Sequence, residues 1–216
     1  ALLEQSIQNG GQCIIFVNAR RSTESLAVKY SPKMRKYAKR ELSNEEISTI
    51  EGDSDTTSLG RKLSECIKDG MAFHNAGLTF KQRRYVEENF RNGNIKCIVA
   101  TPTLAAGINL PARRVIVRDT KRFEANSGNT PISVMEIKQM CGRAGRPGYD
   151  PYGEAILIAK SYDDYENLMD NYVMCDTEAI MSKLGNETVL RNHILGLIAT
   201  GDVSNIDDIV EFMRDT

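Results

Sequence analysis

The stretch "MAFHNAGLTFKQRRYVEENFRNGNIKCIVATP" (residues 71–102) contains a complete strand–helix–strand unit. Residues 71–77 form a short apolar run that ends in a turn, and residues 96–102 form a second run that is rich in β-branched side chains. Between them, a helix is predicted to begin after the cap residue Thr79 and to stop at Gly93. Two strands joined by a helical crossover predict a parallel pair.

The same alternation continues on both sides of this unit. Further strands are predicted from apolar runs at residues 13–18, 114–120 and 153–160. Residues 19–40 are predicted to be helical, with Pro32 interrupting or bending the helix. Ser43 and Glu46 have the spacing of a capping box, and the helix after the next loop should end near Gly70. The pattern predicts an α/β fold with a parallel sheet flanked by helices, in which ligands bind at the carboxyl ends of strands.

Two segments depart from this alternation. Where a helix is due, the chain has the turn residues Asn126, Ser127, Gly128 and Asn129, which predict a β-hairpin insertion over about residues 118–134. From residue 176 the chain becomes acidic and helical, with two or three short helices predicted. We expect this segment to be the incomplete start of a helical or winged-helix domain.

Composition narrows the class of protein. Hydrophobic residues make up 41% and charged residues 26% of the 216, as in soluble globular proteins, and no apolar run is long enough to cross a membrane. Five scattered cysteines without a CxxC pair, together with two histidines, argue against a metal site and favour reduced thiols in a cytoplasmic protein. The N-terminus lacks the features of a signal peptide and is expected to be an internal cut point.

Charge is distributed unevenly along the chain. Residues 1–149 contain 24 Lys/Arg and 15 Asp/Glu, whereas residues 150–216 contain 4 and 14. This asymmetry is consistent with an anionic partner for the first part, or with solvated faces of different sign.

The segment "QMCGRAGRPGYD" (139–150) carries two arginines among small residues. Arg143 and Arg146 are three residues apart, a spacing that predicts the same side of a helical turn. A guanidinium binds phosphate oxygens in a planar, bidentate manner, and the neighbouring glycines would let both arginines approach another surface. The pattern suits a phosphate-sensing arginine finger, although a surface ion pair at a helix end has the same spacing.

Two further loops follow predicted strands. In "ATPTLAAGINLPA" (100–112), small residues and free amides would let a phosphate come close, or would simply form a tight connecting turn. The turn in "FHNAGL" (73–78) and the pair Arg20–Arg21 are open to the same two interpretations, since a lone histidine is usually structural.

Taken in order, "CIIFVNARRSTESLA", "FHNAGLTFKQRRYVEENFRNGNIKCIVATPTLAAGINLPA" and "QMCGRAGRPGYDPYGEAIL" resemble motifs IV, IVa, V and VI of the second RecA-like domain of superfamily-two helicases. The variants "HNAGL", "TLAAGINLPA" and "QMCGRAGRPGYD" resemble the Ski-type group. The tail "SKLGNETVLRNHILGLIATG" is similar to the winged-helix entry of archaeal Hjm-type DNA helicases. The resemblance implies a RecA-like domain at 1–160, a connector at 161–175 and the start of a winged-helix domain at 176–216.

The resemblance also implies a role for each matching residue. Gln139, Arg143 and Arg146 would face ATP with Mg²⁺, and Gly107 and Asn109 would line the same cleft. The implied nucleic-acid contacts follow the strand ends and the hairpin: Asn18, Arg20, His74, Asn75, Gly77, Thr101, Thr103, Arg122 and Phe123. Phe123 would be the apolar wedge of a strand-separating pin, because an aromatic face stacks on any base.

Neither a G-x-x-x-x-G-K-[ST] motif nor a DExH box occurs in the chain. The resemblance therefore implies an upstream RecA-like domain that supplies both, downstream domains of the same protein, and no ATPase activity of this piece alone. The expected partner is single-stranded or forked DNA, in repair or restart of replication forks, and no membrane is expected. The alternatives are an RNA helicase of the same group, a non-catalytic RecA-like nucleic-acid-binding module, and a nucleotide-binding domain of another α/β type, against which the missing P-loop argues.

Overall fold

A computed structural model describes residues 2–8, 10–38, 40–52, 58–107, 110–124, 128–148, 150–177 and 183–214. The chain divides into two compact units, Ala1–Thr177 and Glu178–Thr216. Of the predicted features, Asn109 and the middle of the hairpin turn (residues 125–127) lie outside the described residues.

The first unit alternates strands with helices. Its strands are β1 Cys13–Phe16, β2 Met71–His74, β3 Cys97–Ala100, β4 Arg114–Val117, β5 Lys121–Glu124, β6 Gly128–Pro131 and β7 Glu154–Leu157. Its helices are α1 Leu2–Gln8, α2 Arg20–Ala38, α3 Asn44–Glu51, α4 Ser58–Lys68, α5 Phe80–Arg91, α6 Thr103–Gly107, α7 Val134–Cys141 and α8 Tyr162–Leu168, the last continued by a π-helical turn at Met169–Val173.

Five strands form one parallel sheet in the order β2-β3-β1-β4-β7. Every residue of β1, β2, β3 and β4 is buried, as expected for strands covered by helices on both faces. All five strands correspond to the apolar runs of the sequence, so the predicted α/β, RecA-like fold is confirmed.

The helix starts also follow local signals. Ser43 with Glu46, and Thr79 with Gln82, both form complete capping boxes, which confirms the predicted starts of α3 and α5. The predicted interruption at Pro32 is wrong, because α2 continues through it. Proline cannot donate to the carbonyl of Val28, but the Ser31 hydroxyl donates to that oxygen at 3.5 Å and takes the place of the missing bond.

The predicted hairpin is present as β5 and β6, paired antiparallel from Lys121↔Pro131 to Glu124↔Gly128. It emerges just beyond the carboxyl end of β4. The side chain of Asn18 donates to the carbonyl of Lys121 at 2.7 Å, which ties the base of the hairpin to the end of β1.

The second unit contains a short 3₁₀ turn at Lys183–Gly185 and two helices, α9 Glu187–Thr200 and α10 Ile206–Arg214. Asn186 caps α9, Gly201 ends it in the left-handed conformation, and the rings of His193 and Phe212 lie 5.7 Å apart. Short helices were expected here, and the assignment to a winged-helix domain stays a prediction. Within the parts of the chain that are described, no helix is both long and apolar enough to cross a bilayer.

Candidate nucleotide and nucleic-acid sites

The predicted functional residues fall at opposite ends of the parallel sheet. At the amino ends, Gln12 and Gly153 directly precede β1 and β7, and a turn that carries the two motif arginines packs beside them. We call residues 142–148 and 150–153 the arginine turn. At the carboxyl ends, the segments after β1, β2 and β3 surround a depression at the base of the hairpin, which we call the strand-end cleft.

The arginine turn is not part of a helix. The helix α7 ends at Cys141, so the expectation that Arg143 and Arg146 share a helical turn is wrong. The reason is a long-range pairing: the Ala112 amide donates to the Arg143 carbonyl at 2.8 Å, and the Gly145 amide donates to the Ala112 carbonyl at 2.7 Å. This pairing draws the chain off the helix axis immediately after α7.

The small residues of the turn allow this close backbone contact. Gly145 has a φ of +97°, which an L side chain rarely adopts. A Cβ atom on Gly153 would lie 2.4 Å from the Gly145 nitrogen and 2.5 Å from the carbonyl carbon of Ala144. The glycines are therefore required inside the domain, independently of any surface that approaches the arginines.

The guanidinium of Arg146 is held from two sides. Its Nε and NH2 donate to the two carboxylate oxygens of Asp150 at 2.7 and 2.6 Å, and its NH1 donates to Gln12 Oε1 at 2.9 Å. Asp150 is buried, with 5% of its side chain exposed, and its hydrogen bond with Arg146 lowers the pKa of its carboxyl group. Arg146 keeps 20% of its side chain exposed, at the rim of a cavity of about 520 Å³ that Leu110 and Pro111 also line.

Arg143 contacts a different element. Its NH2 donates to the carbonyl of Ala105 in α6 at 2.7 Å, so the arginine turn and α6 are directly linked. Gln139 is exposed on α7, just before the turn. Gly107 is exposed at the end of α6, where it lines a second cavity, of about 650 Å³, beside α5. The described residues thus bring Arg143 close to α6 but place Gly107 and Arg146 at different cavities.

The strand-end cleft gathers most of the predicted nucleic-acid residues. It encloses about 240 Å³, and the predicted residues that line it are Asn18, Arg20, Thr101, Thr103 and Arg122. The hydroxyls of Thr101 and Thr103 lie 3.0 Å apart, and Arg122 forms an ion pair with Glu136 at 3.1 Å. The structure therefore assembles hydroxyl, amide and guanidinium groups from three separate motifs in one depression.

His74 and Asn75 differ from the other candidates because their side chains are buried. His74 Nε2 lies 3.0 Å from a carboxylate oxygen of Glu87, and burial lowers the pKa of the imidazole despite that neighbour. Asn75 donates to the Thr23 hydroxyl at 2.8 Å and accepts from the amide of Gly77 at 2.8 Å. Both side chains shape the turn after β2, and Ala76 and Gly77 are the exposed residues of that turn.

Phe123 lies on the first strand of the hairpin, and 75% of its side chain is exposed. An aromatic ring so exposed contributes little to the core, and neighbouring Arg122 faces the strand-end cleft. The hairpin therefore presents an apolar ring close to a polar depression.

Three residues that form hydrogen bonds or ion pairs with the candidate arginines were not predicted from the sequence. Asp150 follows Arg146 at a spacing of four residues, which was the one local signal available. Gln12 and Glu136 approach their arginines only through the fold, at separations of 134 and 14 residues.

The arginine turn has the chemistry of one half of a nucleotide site. Two guanidinium groups suit phosphate oxygens. Over the described ranges, no three His, Cys, Asp or Glu side chains are grouped so that they would hold a metal ion.

Known proteins with similar sequences are helicases. Residues 1–148 match the family model described as "Helicase conserved C-terminal domain". The whole chain is 48% identical to an ATP-dependent DNA helicase Hel308 from Methanocella arvoryzae, and 44% and 42% identical to those from Methanococcus vannielii and Pyrobaculum calidifontis. It spans 30%, 29% and 31% of their lengths, respectively. On its fold, its motif order and this match, the chain belongs to the helicase conserved C-terminal domain family.

Proposed function

We propose that this chain is the second RecA-like motor domain of an ATP-dependent DNA helicase that moves along single strands and unwinds duplex or forked DNA, in repair or restart of replication forks. The observation that carries the proposal is the placement of phosphate-seeking groups at both ends of one sheet. A motor of this kind must contact a nucleotide and a nucleic acid through one rigid body. The relatives' names, which specify DNA helicases, favour DNA over RNA.

At the amino ends, Arg143 and Arg146 would contact the γ-phosphate of ATP bound with Mg²⁺ to a preceding RecA-like domain. Hydrolysis of that ATP supplies the free energy for movement. Arg146 is held by Asp150 before any nucleotide arrives, so its positive charge needs little reorganisation to stabilise charge on the phosphoryl group. Gln139 and Asn109 are proposed for the same half-site. Gly107 is not, because it lines a cavity with His74, Asn75 and Thr103 and not the one at Arg146.

At the carboxyl ends, the strand-end cleft would hold the backbone of one strand. Arg20, Thr101 and Thr103 offer charge and hydroxyl donors to phosphate oxygens, which fix position without reading sequence. Binding would therefore depend strongly on salt and little on base sequence. Phe123 would stack against the last base pair as the hairpin parts the duplex.

The domain limits follow the same proposal. Residues 1–160 would form the motor domain, residues 161–175 a connector, and residues 176–216 the beginning of a winged-helix domain. The connector would be closely packed on the motor domain, because Lys138 donates to the Cys175 carbonyl at 2.6 Å and the Tyr172 hydroxyl donates to the Ile132 carbonyl at 2.8 Å.

The hairpin provides the test of the proposal. In the full-length helicase, we expect replacement of residues 121–130 by a short turn to abolish unwinding of forked DNA while DNA-stimulated ATP hydrolysis is retained. Phe123→Ala should reproduce most of the loss, because the wedge and not the hairpin backbone contacts the base pair. Strand separation and ATP turnover are measured on the same preparations. Tyr162→Ala, which removes another exposed aromatic ring outside the hairpin, is the matched control.

Unwinding that survives hairpin removal would contradict the pin assignment. Competition between single-stranded DNA and RNA of the same sequence separates a DNA helicase from an RNA helicase of the same group. A full-length protein that binds nucleic acid but never hydrolyses ATP would indicate a non-catalytic binding module.

A further inference from the structure

Gln12 is a buried polar residue that the proposed function does not yet use. Only 4% of it is exposed, and it lies directly before β1. Its Nε2 donates to the carbonyls of Phe90 at 2.6 Å and Ile95 at 2.8 Å. Since a side-chain amide nitrogen carries two hydrogens, both are used by these carbonyls.

This arrangement fixes the direction of the amide. The nitrogen must face the two carbonyls, so Oε1 must face the opposite way, toward Arg146 NH1 at 2.9 Å. A flipped amide would place an acceptor against two acceptors and a donor against a guanidinium. Gln12 therefore presents an oxygen to Arg146 as a consequence of the backbone behind it.

The backbone behind Gln12 is part of the rigid core. Phe90 ends the buried face of α5, and Ile95 precedes β3; both side chains are fully enclosed. Close-packed side chains of this kind do not shift independently of one another. Gln12 thus connects the Arg146 guanidinium to the core, while Asp150 holds the other edge of the same guanidinium.

We propose that Gln12 is a positioning residue for Arg146: its Oε1 accepts the hydrogen bond from NH1 and so orients the guanidinium toward the phosphoryl group. The inference rests on the proposed function of Arg146. Gln12 itself does not touch the nucleotide; it limits the rotation of the side chain that does. Small misplacements of a group that stabilises a transition state lower the rate with little effect on ground-state binding.

Three variants of the full-length helicase test the proposal. Gln12→Met fills the same space but removes every hydrogen bond. Gln12→Glu keeps an acceptor for Arg146 and loses the two donors to the carbonyls. The matched control is Gln82→Met, because Gln82 is also buried and its amide also donates to a backbone carbonyl, that of Ile50 at 2.6 Å, away from Arg146.

For Gln12→Met, we expect kcat for ATP to fall about 10- to 100-fold with KM nearly unchanged. The affinity for ADP with aluminium fluoride, a mimic of the transferring phosphoryl group, should fall by a similar factor. Gln12→Glu should lose thermal stability yet keep most of kcat and of the affinity for the mimic. Gln82→Met should lose thermal stability but keep both kcat and the affinity for the mimic.

Three outcomes would overturn the proposal. The first is an equal loss of kcat in Gln12→Met and Gln12→Glu, and the second is a loss of kcat in Gln82→Met as large as that in Gln12→Met. The third is failure of Gln12→Met to fold under conditions in which Gln82→Met folds. Each of these would make the role of Gln12 purely structural. The proposed function fails separately, if the wild-type protein does not hydrolyse ATP or if Arg146→Lys leaves kcat unchanged.

Discussion

Arg146 and Arg20, at the two ends of the sheet, differ in how their guanidinium groups are held. At the amino ends, the guanidinium of Arg146 is fixed by a buried carboxylate and a buried amide. At the carboxyl ends, Arg20 is exposed, and its guanidinium makes no hydrogen bond to the parts of the chain that are described. Under the proposed function, the group that meets one developing charge gains from being held in place, whereas an exposed charge such as Arg20 can pair with any phosphate of a strand.

The largest expected effect comes from breaking the fixed end. Arg146→Ala in the full-length helicase should lower kcat for ATP by about 10³- to 10⁵-fold, as removal of an arginine finger does in other nucleotidases. Binding of single-stranded DNA should be nearly unchanged, because the strand-end cleft lies at the other end of the sheet. Steady-state ATP turnover and fluorescence anisotropy with labelled DNA measure the two properties.

Arg35→Ala is the control for this change. Arg35 also forms an ion pair with a buried aspartate, Asp69, at 2.7 Å. Its loss should leave kcat intact, because neither Arg35 nor Asp69 lines the strand-end cleft or the cavity at Arg146. If the Arg146→Ala protein still hydrolyses ATP at the wild-type rate, Arg146 has no role in hydrolysis. Arg146 and Arg20 would then differ only in how they are packed.

A smaller effect is expected at the carboxyl ends of the strands. Arg20→Ala should weaken DNA binding uniformly across sequences and reduce the slope of log affinity against log salt by about one, as loss of one phosphate contact does. Arg21→Ala is the matched control, because Arg21 is exposed and adjacent but does not line the cleft. Titrations at several salt concentrations measure both slopes. Equal slopes for the two variants would mean that general charge, not the cleft, attracts DNA.

Most of the fold was predictable from the sequence because its signals are local. The buried strands are apolar runs, and the capping boxes at Ser43 and Thr79 mark where helices begin. The error at Pro32 has a local cause that is hard to anticipate, since a serine hydroxyl replaces the lost amide. A sequence pattern readily shows that a proline removes a backbone hydrogen bond. It does not show which side chain will replace that bond.

The candidate site was less predictable because its geometry depends on distant residues. The identity of the motif arginines followed from the sequence, but the end of α7 before them accompanies a pairing of Ala144 with Ala112 that the sequence does not indicate. The burial of His74 and Asn75 depends on Glu87 and Thr23. No spacing rule relates such pairs, so the sequence predicted the functional groups and not the directions in which they point.

The smallest expected effect concerns the pH dependence of the fixed end. The hydrogen bonds with Arg146 lower the pKa of Asp150, so its carboxylate is stabilised in the folded state. A depressed carboxyl pKa contributes stability that is present above the usual pKa of an aspartate and is lost as the pH falls through the folded value. The difference in free energy of unfolding between wild type and Asp150→Asn should therefore be constant near neutral pH and shrink in acid. Urea unfolding at a series of pH values measures this difference. If the difference does not change with pH, the carboxylate is not the group that fixes Arg146, and the contrast between the two ends of the sheet would rest on Gln12 alone.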